Sequence, residues 1–242
     1  MFLHYRTLGI FLKEEDRGES NRLFTLYTKD FGKIEILGKA IRKIDSKLKY
    51  GTEIFNLSEI QFIQGKRYKT LTDVFPIERF DKIKRSLRKL KISYRISGLI
   101  ESFIKGQELD EDIWGLLKGS LEKLNSIKAK GGTQILFYYY FLWNFVSLLG
   151  FAPELYRCFL CKNRITPGQI SFSPHDGGLI CDFCSGKTEA GKKIDADTVK
   201  ILRLFMKRDW DTIEKLKISK EHIINLKNIS DSYISSISED RL

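Results

Sequence analysis

The fold is decided by residues 22–37, which read RLFTLYTKDFGKIEIL. Leu23, Thr25 and Tyr27 fall on one face of an extended chain, because successive side chains of a strand point to opposite faces. Asp30-Phe31-Gly32 interrupts this alternation with residues that are typical of a turn. The stretch therefore predicts two short strands joined by a turn.

Three further stretches of the same kind flank this pair, and each is short and rich in β-branched and aromatic residues. The five predicted strands are Tyr5–Leu12, Arg22–Thr28, Lys33–Leu37, Glu53–Gln64 and Arg67–Val74. Five strands within about 75 residues indicate a small closed barrel, and the five-stranded oligonucleotide-binding (OB) barrel is a common fold of that size. An SH3-like barrel fits the strand count almost as well.

The periodicity changes at Pro76, after which apolar residues recur every three or four positions. This spacing predicts a helix over about residues 82–95 with one apolar stripe and a surface otherwise crowded with Lys and Arg. The predicted stripe consists of Phe80, Ile83, Leu87, Leu90 and Tyr94.

More helices are predicted downstream. Asp110 is placed to cap a helix that carries Ile113 and Leu124. Gly131-Gly132 breaks the chain before a strongly apolar stretch. The remaining predicted helices cover about 134–149, 196–208 and 219–237.

The strongest motif of the chain is a pair of CxxC sequences with 19 residues between them, and its four cysteines are Cys158, Cys161, Cys181 and Cys184. Two residues between cysteines allow a tight turn to aim both sulfurs at one point, and two such turns complete a tetrahedral zinc shell. Because four cysteines close the shell, the zinc is expected to be structural. An iron–sulfur cluster and a further ligand, His175, remain as alternatives.

These patterns predict an α+β fold with more than one domain. We expect an N-terminal five-stranded OB-type β-barrel at residues 1–79, followed by an all-helical domain at residues 80–242. The four-cysteine zinc finger is expected as an insertion in the helical domain, at about residues 154–190.

Positive charge is concentrated near the N-terminus. The whole chain carries a net charge of +11, of which residues 1–80 contribute +4 and residues 81–95 contribute +6. Such a local excess indicates a surface that binds a polyanion, although a Lys-rich composition also serves solubility.

The N-terminal residues lack the pattern of a signal peptide, and the most apolar run, Ile135–Gly150, is shorter than the roughly 20 residues that cross a bilayer. We therefore expect no membrane association and a cytoplasmic location. In that reducing compartment, cysteines are expected to bind metal and not to form disulfides.

Enzyme motifs are absent from the sequence. It contains no GxxxxGK[ST], GxGxxG, GxSxG or HExxH string, and its three histidines have no catalytic partner at a useful spacing. Lys43-Ile44-Asp45-Ser46 lacks the glycine of the ligase motif that it partly matches. We therefore predict no catalytic residue and a protein that is not an enzyme.

The segment GKAIRKIDSKLK, residues 38–49, connects the third and fourth predicted strands and carries most of the barrel's excess charge. Loops of OB barrels flank the groove that holds single strands, where cations follow the phosphates and aromatic rings stack on bases. Phe31, Tyr50 and Tyr68 are candidate stacking residues. The predicted DNA-binding residues are Lys33, Lys39, Arg42, Lys43, Lys47, Lys66, Arg67, Lys84, Arg85 and Arg88.

The chain also resembles a known family, the bacterial DNA repair protein RecO family, over nearly its whole length. The resemblance rests on the order and spacing of short motifs: Leu8-Gly9-Ile10, the turn at 28–33, GKAIRKIDSKL, LSEI at 57–60, LTDV at 71–74, LLGFAP at 148–153, and Phe172-Ser173 ahead of Gly177-Gly178 and Cys181. One departure is Ala40, where the family usually has glycine, and it puts the local loop shape in doubt.

The resemblance implies binding of single- and double-stranded DNA and annealing of strands that are coated by single-strand binding protein. It also implies RecR as a partner, help in loading RecA, and contact with the acidic C-terminal tail of single-strand binding protein. Two other classes of function remain open, namely a non-catalytic protein-interaction scaffold and a zinc-ribbon accessory factor of replication or transcription.

Overall fold

The computed structural model describes residues 3–107, 109–128, 132–166, 168, 170–186 and 191–239. These residues form two compact units, Met1–Ile127 and Lys128–Leu242. The first unit therefore contains helices as well as the barrel.

Five strands form a closed barrel in the first unit, as the sequence predicts. They are β1 (His4–Arg17), β2 (Asn21–Thr28), β3 (Gly32–Gly38), β4 (Leu57–Gln64) and β5 (Lys69–Glu78). Their order around the barrel is β1-β2-β3-β5-β4, and β1 pairs with both β2 and β4. The β3–β5 contact is parallel, while all other pairs are antiparallel. This Greek-key closure confirms the OB-type barrel over the SH3-like alternative.

The barrel interior is filled by the alternating apolar residues of its strands. Phe31, one of the predicted stacking residues, belongs to this interior: its ring lies edge-on to Tyr5 and Phe62. The buried residues of the barrel core are Phe11, Phe24, Leu26, Ile34, Ile36, Ile41, Ile60, Phe62, Leu71 and Val74.

The connection from β3 to β4 runs through successive turns and a short 3-10 helix, Lys49–Gly51. The predicted start of the fourth strand at Glu53 is wrong, because β4 begins at Leu57. Phe55 has a φ of 66°, outside the strand region. The Asn56 side chain donates to Tyr50 O, which holds the chain in a turn. The apolar character of 53–56 therefore reflects burial in a turn.

The predicted single basic helix is two helices, α1 (Asp81–Lys84) and α2 (Leu87–Phe103). Ser86 separates them and caps α2, because its Oγ accepts a hydrogen bond from the Lys89 amide. The break changes the helical phase, so the predicted stripe is wrong beyond Ile83: Leu87 is 68% exposed and Tyr94 is 53% exposed. The buried apolar residues of α2 are Ile92, Ile96, Leu99, Ile100 and Phe103.

Helix α3 (Glu111–Ser126) completes the first unit. Asp110 caps it, as predicted, because its Oδ1 accepts the amide of Ile113 at 2.9 Å. At the other end of α3, the buried ammonium group of Lys89 donates to the carbonyl oxygens of Asn125 and Ile127. Because α2 starts again at Ser86, its buried face includes Lys89.

The second unit packs four helices with a small cysteine-bearing sheet. The helices are α4 (Gly132–Leu148), α6 (Ala196–Met206), α7 (Trp210–Lys215) and α8 (Lys220–Glu239), and the short α5 (Asp182–Ser185) lies in the sheet region. The sheet contains β6 (Ile170–Ser173), β7 (Gly178–Cys181) and β8 (Lys192–Ile194), in the order β7-β6-β8.

The three predicted helices of this unit are confirmed, each to within about two residues, while α7 was missed. Gly131 and residues 187–190, on which a predicted chain break and the end of the predicted insertion fall, lie outside the described residues. In the part of the chain that the structure describes, no helix combines the length and the apolar character that crossing a bilayer requires.

Candidate metal centre and nucleic-acid interface

The four cysteines converge, as their spacing predicts. One ligand atom from each of Cys158, Cys161, Cys181 and Cys184 lies within 4.8 Å of the others. Two sulfurs held at about 2.3 Å by one tetrahedral zinc are about 3.8 Å apart. The Cys161 and Cys181 sulfurs are 3.8 Å apart. The cluster therefore has the dimensions of a four-sulfur metal site.

Backbone geometry positions the sulfurs. The first CxxC forms a turn in which the Lys162 amide donates to Cys158 O and the Cys158 amide donates to Asn163 O. The second CxxC sequence begins with Cys181 at the end of β7 and continues into α5. The β6–β7 hairpin turns at Asp176-Gly177, where the sequence predicts a turn. The hairpin thus brings the second pair of cysteines back to the first.

The thiols differ in acidity. Burial acts to raise the pKa of Cys158, but hydrogen bonds from the amides of Cys161, Cys181 and Leu160 lower it to about 6. Burial, together with the neighbouring thiols, raises the pKa of Cys184 to about 12. At neutral pH Cys158 is therefore the first thiolate available to a metal, and a bound cation would favour ionisation of the others.

The cysteine module is fixed to the helices of its own unit. The Arg203 guanidinium on α6 donates twice to Leu155 O, at 3.0 and 2.6 Å, and lies over the Tyr156 ring. Tyr233 on α8 donates to Phe151 O at 2.9 Å. These contacts lie on the segment that leads into Cys158, so they hold the cysteine cluster to the helices of the same unit.

His175 does not join the cysteines. Its side chain is 78% exposed and lies 3.4 Å from Asp176. A second group that could hold a metal ion, missed in the sequence, contains Asp195, Asp197 and His222. Asp195 already caps α6 by accepting a hydrogen bond from the Thr198 amide, and its other oxygen accepts one from the Asn225 side chain.

The predicted DNA-binding residues separate into two groups along β3. Lys39, Arg42, Lys43 and Lys47 lie on the β3–β4 connection, and all four are exposed. Arg42 pairs with Asp16 at 3.4 Å, whereas the three lysines have no ion-pair partner among the residues that the structure describes. Their ammonium groups are therefore free to meet an anion.

Lys84, Arg85 and Arg88 lie at the junction of α1 and α2. Lys84 is half-buried, and its ammonium group donates to Glu53 and Asn56 at 2.6 Å each. Glu53 lines a small depression with Arg42 and Lys49, so Lys84 adjoins the β3–β4 connection. Arg85 and Arg88 are exposed and bear no ion pair within the described part of the chain.

Lys33 lies at the opposite end of β3 from Lys39, about 20 Å away at the rise of a strand. With Arg67 and Tyr68 of the β4–β5 loop it lines a groove of about 700 Å³. The Arg67 guanidinium lies 5.4 Å from the centre of the Tyr68 ring. Lys66 belongs to the same loop and is exposed. Tyr50, by contrast, is 68% exposed on the β3–β4 connection.

The groove contains residues that sequence reasoning missed. Lys13 from β1 and Lys69 from β5 add two cations, while Glu101 and Gln107 bring polar groups from the end of α2 and the residues after it. Burial lowers the pKa of Lys33, against the opposing effect of Glu101. No local sequence pattern connects these residues, because up to 94 positions separate them.

Comparison with known proteins agrees with this architecture. The family model described as Recombination protein O N terminal matches residues 1–80, and the one described as Recombination protein O C terminal matches residues 85–242. The DNA repair protein RecO of Dehalococcoides mccartyi is 31% identical over 92% of this chain and 86% of that protein. Those of Roseiflexus sp. and Moorella thermoacetica are each 25% identical, over 97% and 98% of this chain and 81% and 88% of their own lengths.

Both halves of the chain, including the barrel and the cysteine-bearing helical region, are thus covered by models of one family. The relatives match this chain over most of their own lengths as well. The chain therefore belongs to the RecO family of DNA repair proteins.

Proposed function

We propose that this protein is a recombination and repair mediator that binds single- and double-stranded DNA and anneals complementary strands coated by single-strand binding protein. The observation that carries the proposal is a row of three exposed lysines, Lys39, Lys43 and Lys47, on a connection of an OB-type barrel; none of them has an ion-pair partner within the described part of the chain. Family membership supports the same assignment.

Phosphate contact explains how this connection would act. Lysine ammonium groups on a loop follow the backbone of a strand without reading its sequence, which suits a protein that handles strands of any sequence. Tyr50, exposed on the same connection, is positioned to stack on a base. Arg85 and Arg88 are exposed and follow Lys84, whose ammonium group contacts Glu53 and Asn56 at the end of this connection.

Zinc is the metal that we assign to the cysteine site, because four thiolates in two CxxC turns form a closed tetrahedral shell. A closed shell leaves no position for a reacting water molecule, so zinc would act as a structural element that joins the two turns. This role agrees with a mediator that is not an enzyme. Cys158→Ser should lower the bound zinc measured by native mass spectrometry from one equivalent, whereas retention of a full equivalent would contradict the ligand set.

Partners follow from the family. We propose RecR and the acidic tail of single-strand binding protein as direct partners, RecA as an indirect one, and a cytoplasmic, nucleoid-associated location. Mixing with RecR should produce a complex in analytical ultracentrifugation. Titration with a peptide of the acidic tail should produce saturable binding.

Annealing tests the proposal. Two complementary oligonucleotides coated with the cognate single-strand binding protein should pair faster in the presence of this protein, and the acceleration should fall as salt rises. Charge reversal at Lys39, Arg42 and Lys43 should abolish the acceleration. Reversal of three exposed cations of the second unit, Lys207, Lys215 and Lys217, provides the matched control and should leave annealing intact.

The outcome separates the competing functions. If DNA binding and annealing are both absent at low salt with zinc bound, the mediator role is wrong and a protein-interaction scaffold becomes the better description. DNA binding without annealing would favour a zinc-ribbon accessory factor of replication or transcription.

A further inference from the structure

The groove beside the β4–β5 loop lies on the part of the barrel that OB proteins commonly use for oligonucleotides, namely strands 2 and 3 with the neighbouring loops. Four cations line it, Lys13, Lys33, Arg67 and Lys69, and they outnumber the two carboxylates of its lining, Glu35 and Glu101. Tyr68 adds an aromatic ring. The groove therefore has the composition of a site for a single strand.

One wall of this groove is not part of the barrel. The end of α2 and the residues after it contribute Glu101, Ser102, Gly106 and Gln107. Lys33 donates to the backbone oxygen of Glu101 at 2.9 Å, and the Lys69 ammonium group donates to Gln107 Oε1 at 3.2 Å. The Glu101 carboxylate lies 3.8 Å from Lys13 Nζ, which also pairs with Glu15 on its own strand at 2.8 Å. Three lysines of the groove therefore already bind oxygen atoms of this wall.

These oxygens resemble phosphate oxygens in charge. Glu101 lies in the last turn of α2, where carbonyl groups lack amide partners within the helix and carry partial negative charge. Its side chain adds a full negative charge next to the same lysines. A strand that enters the groove would offer anionic oxygens to the same donors, so the wall and the phosphates compete.

Few contacts hold residues 104–107 and the Glu101 side chain in place. Lys105, Gly106 and Gln107 are exposed, and a side chain at Gly106, whose φ is 137°, would meet no atom of the described residues within 4 Å. The Lys13 and Glu101 side chains are 47% and 30% exposed, and ion pairs of such exposure contribute little. Movement of residues 104–107 would therefore leave the buried face of α2 in place.

We propose that the Glu101 side chain and residues 104–107 form a removable cover over the groove, which a single strand displaces in order to reach Lys13, Lys33 and Lys69, while buried Ile100 and Phe103 keep the end of α2 in place. This inference rests on the proposed DNA-binding function and adds a regulatory step to it. The cover lowers the affinity for isolated phosphates and leaves the groove to ligands that bind several lysines together.

Substitution of Glu101 tests the cover. Glu101→Gln removes the carboxylate of the cover and leaves Glu35 of β3 unchanged. It should tighten binding of a labelled oligo(dT), measured by fluorescence anisotropy, by about two- to fivefold, the range expected for one partly exposed ion pair. Glu122→Gln is the matched control: it removes the same charge from α3, where Glu122 pairs with Lys118 at 3.3 Å. This control should change the affinity much less.

Hydrogen exchange tests displacement itself. The Ile104 amide donates to Ile100 O at 3.0 Å at the end of α2. When saturating oligo(dT) is bound, the peptide that spans residues 100–107 should exchange faster, while residues 65–71 should exchange more slowly. Unchanged or slower exchange in 100–107, or equal affinities of the Glu101→Gln and Glu122→Gln variants, would overturn the cover.

The two proposals fail in different ways. If the wild-type protein binds no oligo(dT) at low salt, the DNA-binding function and the cover are both wrong. If it binds, and charge reversal at Lys39, Arg42 and Lys43 weakens binding while Glu101→Gln behaves like Glu122→Gln, only the cover is wrong.

Discussion

Replacement of Lys89 by methionine tests the packing of the first unit. Lys89 is 6% exposed, and its ammonium group donates to Asn125 O at 3.0 Å and to Ile127 O at 2.7 Å. Both carbonyls lie at the end of α3, where helix carbonyls have no amide partner of their own. Methionine keeps the unbranched stem in its apolar surroundings and removes only the donor.

The expected loss follows from the two hydrogen bonds. A buried acceptor that is left unsatisfied costs about 1–3 kcal/mol, so two would cost about 2–6 kcal/mol. Burial lowers the pKa of Lys89, which shows that the charged form is itself penalised by desolvation. Methionine relieves that penalty. We therefore expect the free energy of unfolding of the first unit to fall by about 2–3 kcal/mol.

Urea unfolding of the full chain labelled with 5-fluorotryptophan measures this loss. The chain has three tryptophans, and Trp114 lies in α3 of the first unit, while Trp143 and Trp210 lie in the second. Fluorine NMR therefore follows the two units separately. Lys91→Met is the matched control, because Lys91 is an exposed lysine on the same helix, and it should change stability by less than about 0.5 kcal/mol.

Two results would refute the reasoning. If Lys89→Met and Lys91→Met agree within about 0.5 kcal/mol at the Trp114 resonance, the two hydrogen bonds contribute nothing measurable. A loss seen only at the resonances of Trp143 and Trp210 would place the effect in the wrong unit.

Two predictions concern the second unit. Gly177 has a φ of 62°, and a Cβ there would lie 2.7 Å from the Tyr233 hydroxyl. Gly177→Ala should therefore lower the free energy of unfolding, measured by thermal unfolding, by about 1–3 kcal/mol. The control Gly186→Ala should change it by less than about 0.5 kcal/mol, and equal losses in the two variants would contradict the prediction. Burial acts to raise the pKa of Asp195, but hydrogen bonds from Thr198 and Asn225 lower it overall. Because the folded-state pKa is below the unfolded one, the carboxylate stabilises the fold fully above about pH 4 and loses this effect as pH falls further. Asp195→Ala should therefore cost about 1–2 kcal/mol at pH 7, and this difference should shrink below pH 4; a constant difference between pH 3 and 7 would count against it.

The barrel could be predicted because its information is local. Alternation in β2 and β3 and the turn at Asp30-Phe31-Gly32 are read from neighbouring residues. The parallel pairing of Ile36 with Lys69 could not be read in this way, because it depends on closure of the whole barrel. The strand count alone left two barrel folds open, and the pairing decides between them.

The helices show how one polar residue changes a pattern. Ser86 ends one helical phase and caps the next, so residues on either side of it no longer share a face. A continuous pattern placed Leu87 and Tyr94 inside and Lys89 outside, whereas the structure has the reverse. Serine in the middle of a charged stretch was the available signal, since serine is a strong N-cap residue.

The two candidate sites also differ in how much of their geometry is determined by residues that are near each other in the sequence. The cysteine cluster could be predicted in full, since CxxC spacing constrains the sulfurs locally and a single hairpin joins the two pairs. The groove could not, because Lys13, Lys33, Lys69 and Glu101 come from separate elements. Charge counting identified the basic β3–β4 connection but not the carboxylate that pairs with the cations of the groove.

The most direct test of the central claim is the salt dependence of single-strand binding. Each phosphate contact adds about 0.7 to the slope of log affinity against log salt. The triple variant Lys39→Gln, Lys43→Gln, Lys47→Gln should therefore bind oligo(dT) with a slope reduced by about 2 relative to the wild-type protein. A control triple variant with the same loss of charge, Lys207→Gln, Lys215→Gln, Lys217→Gln, should keep the wild-type slope. An equal reduction in both variants, or none in either, would contradict the assignment of phosphate contacts to the β3–β4 connection.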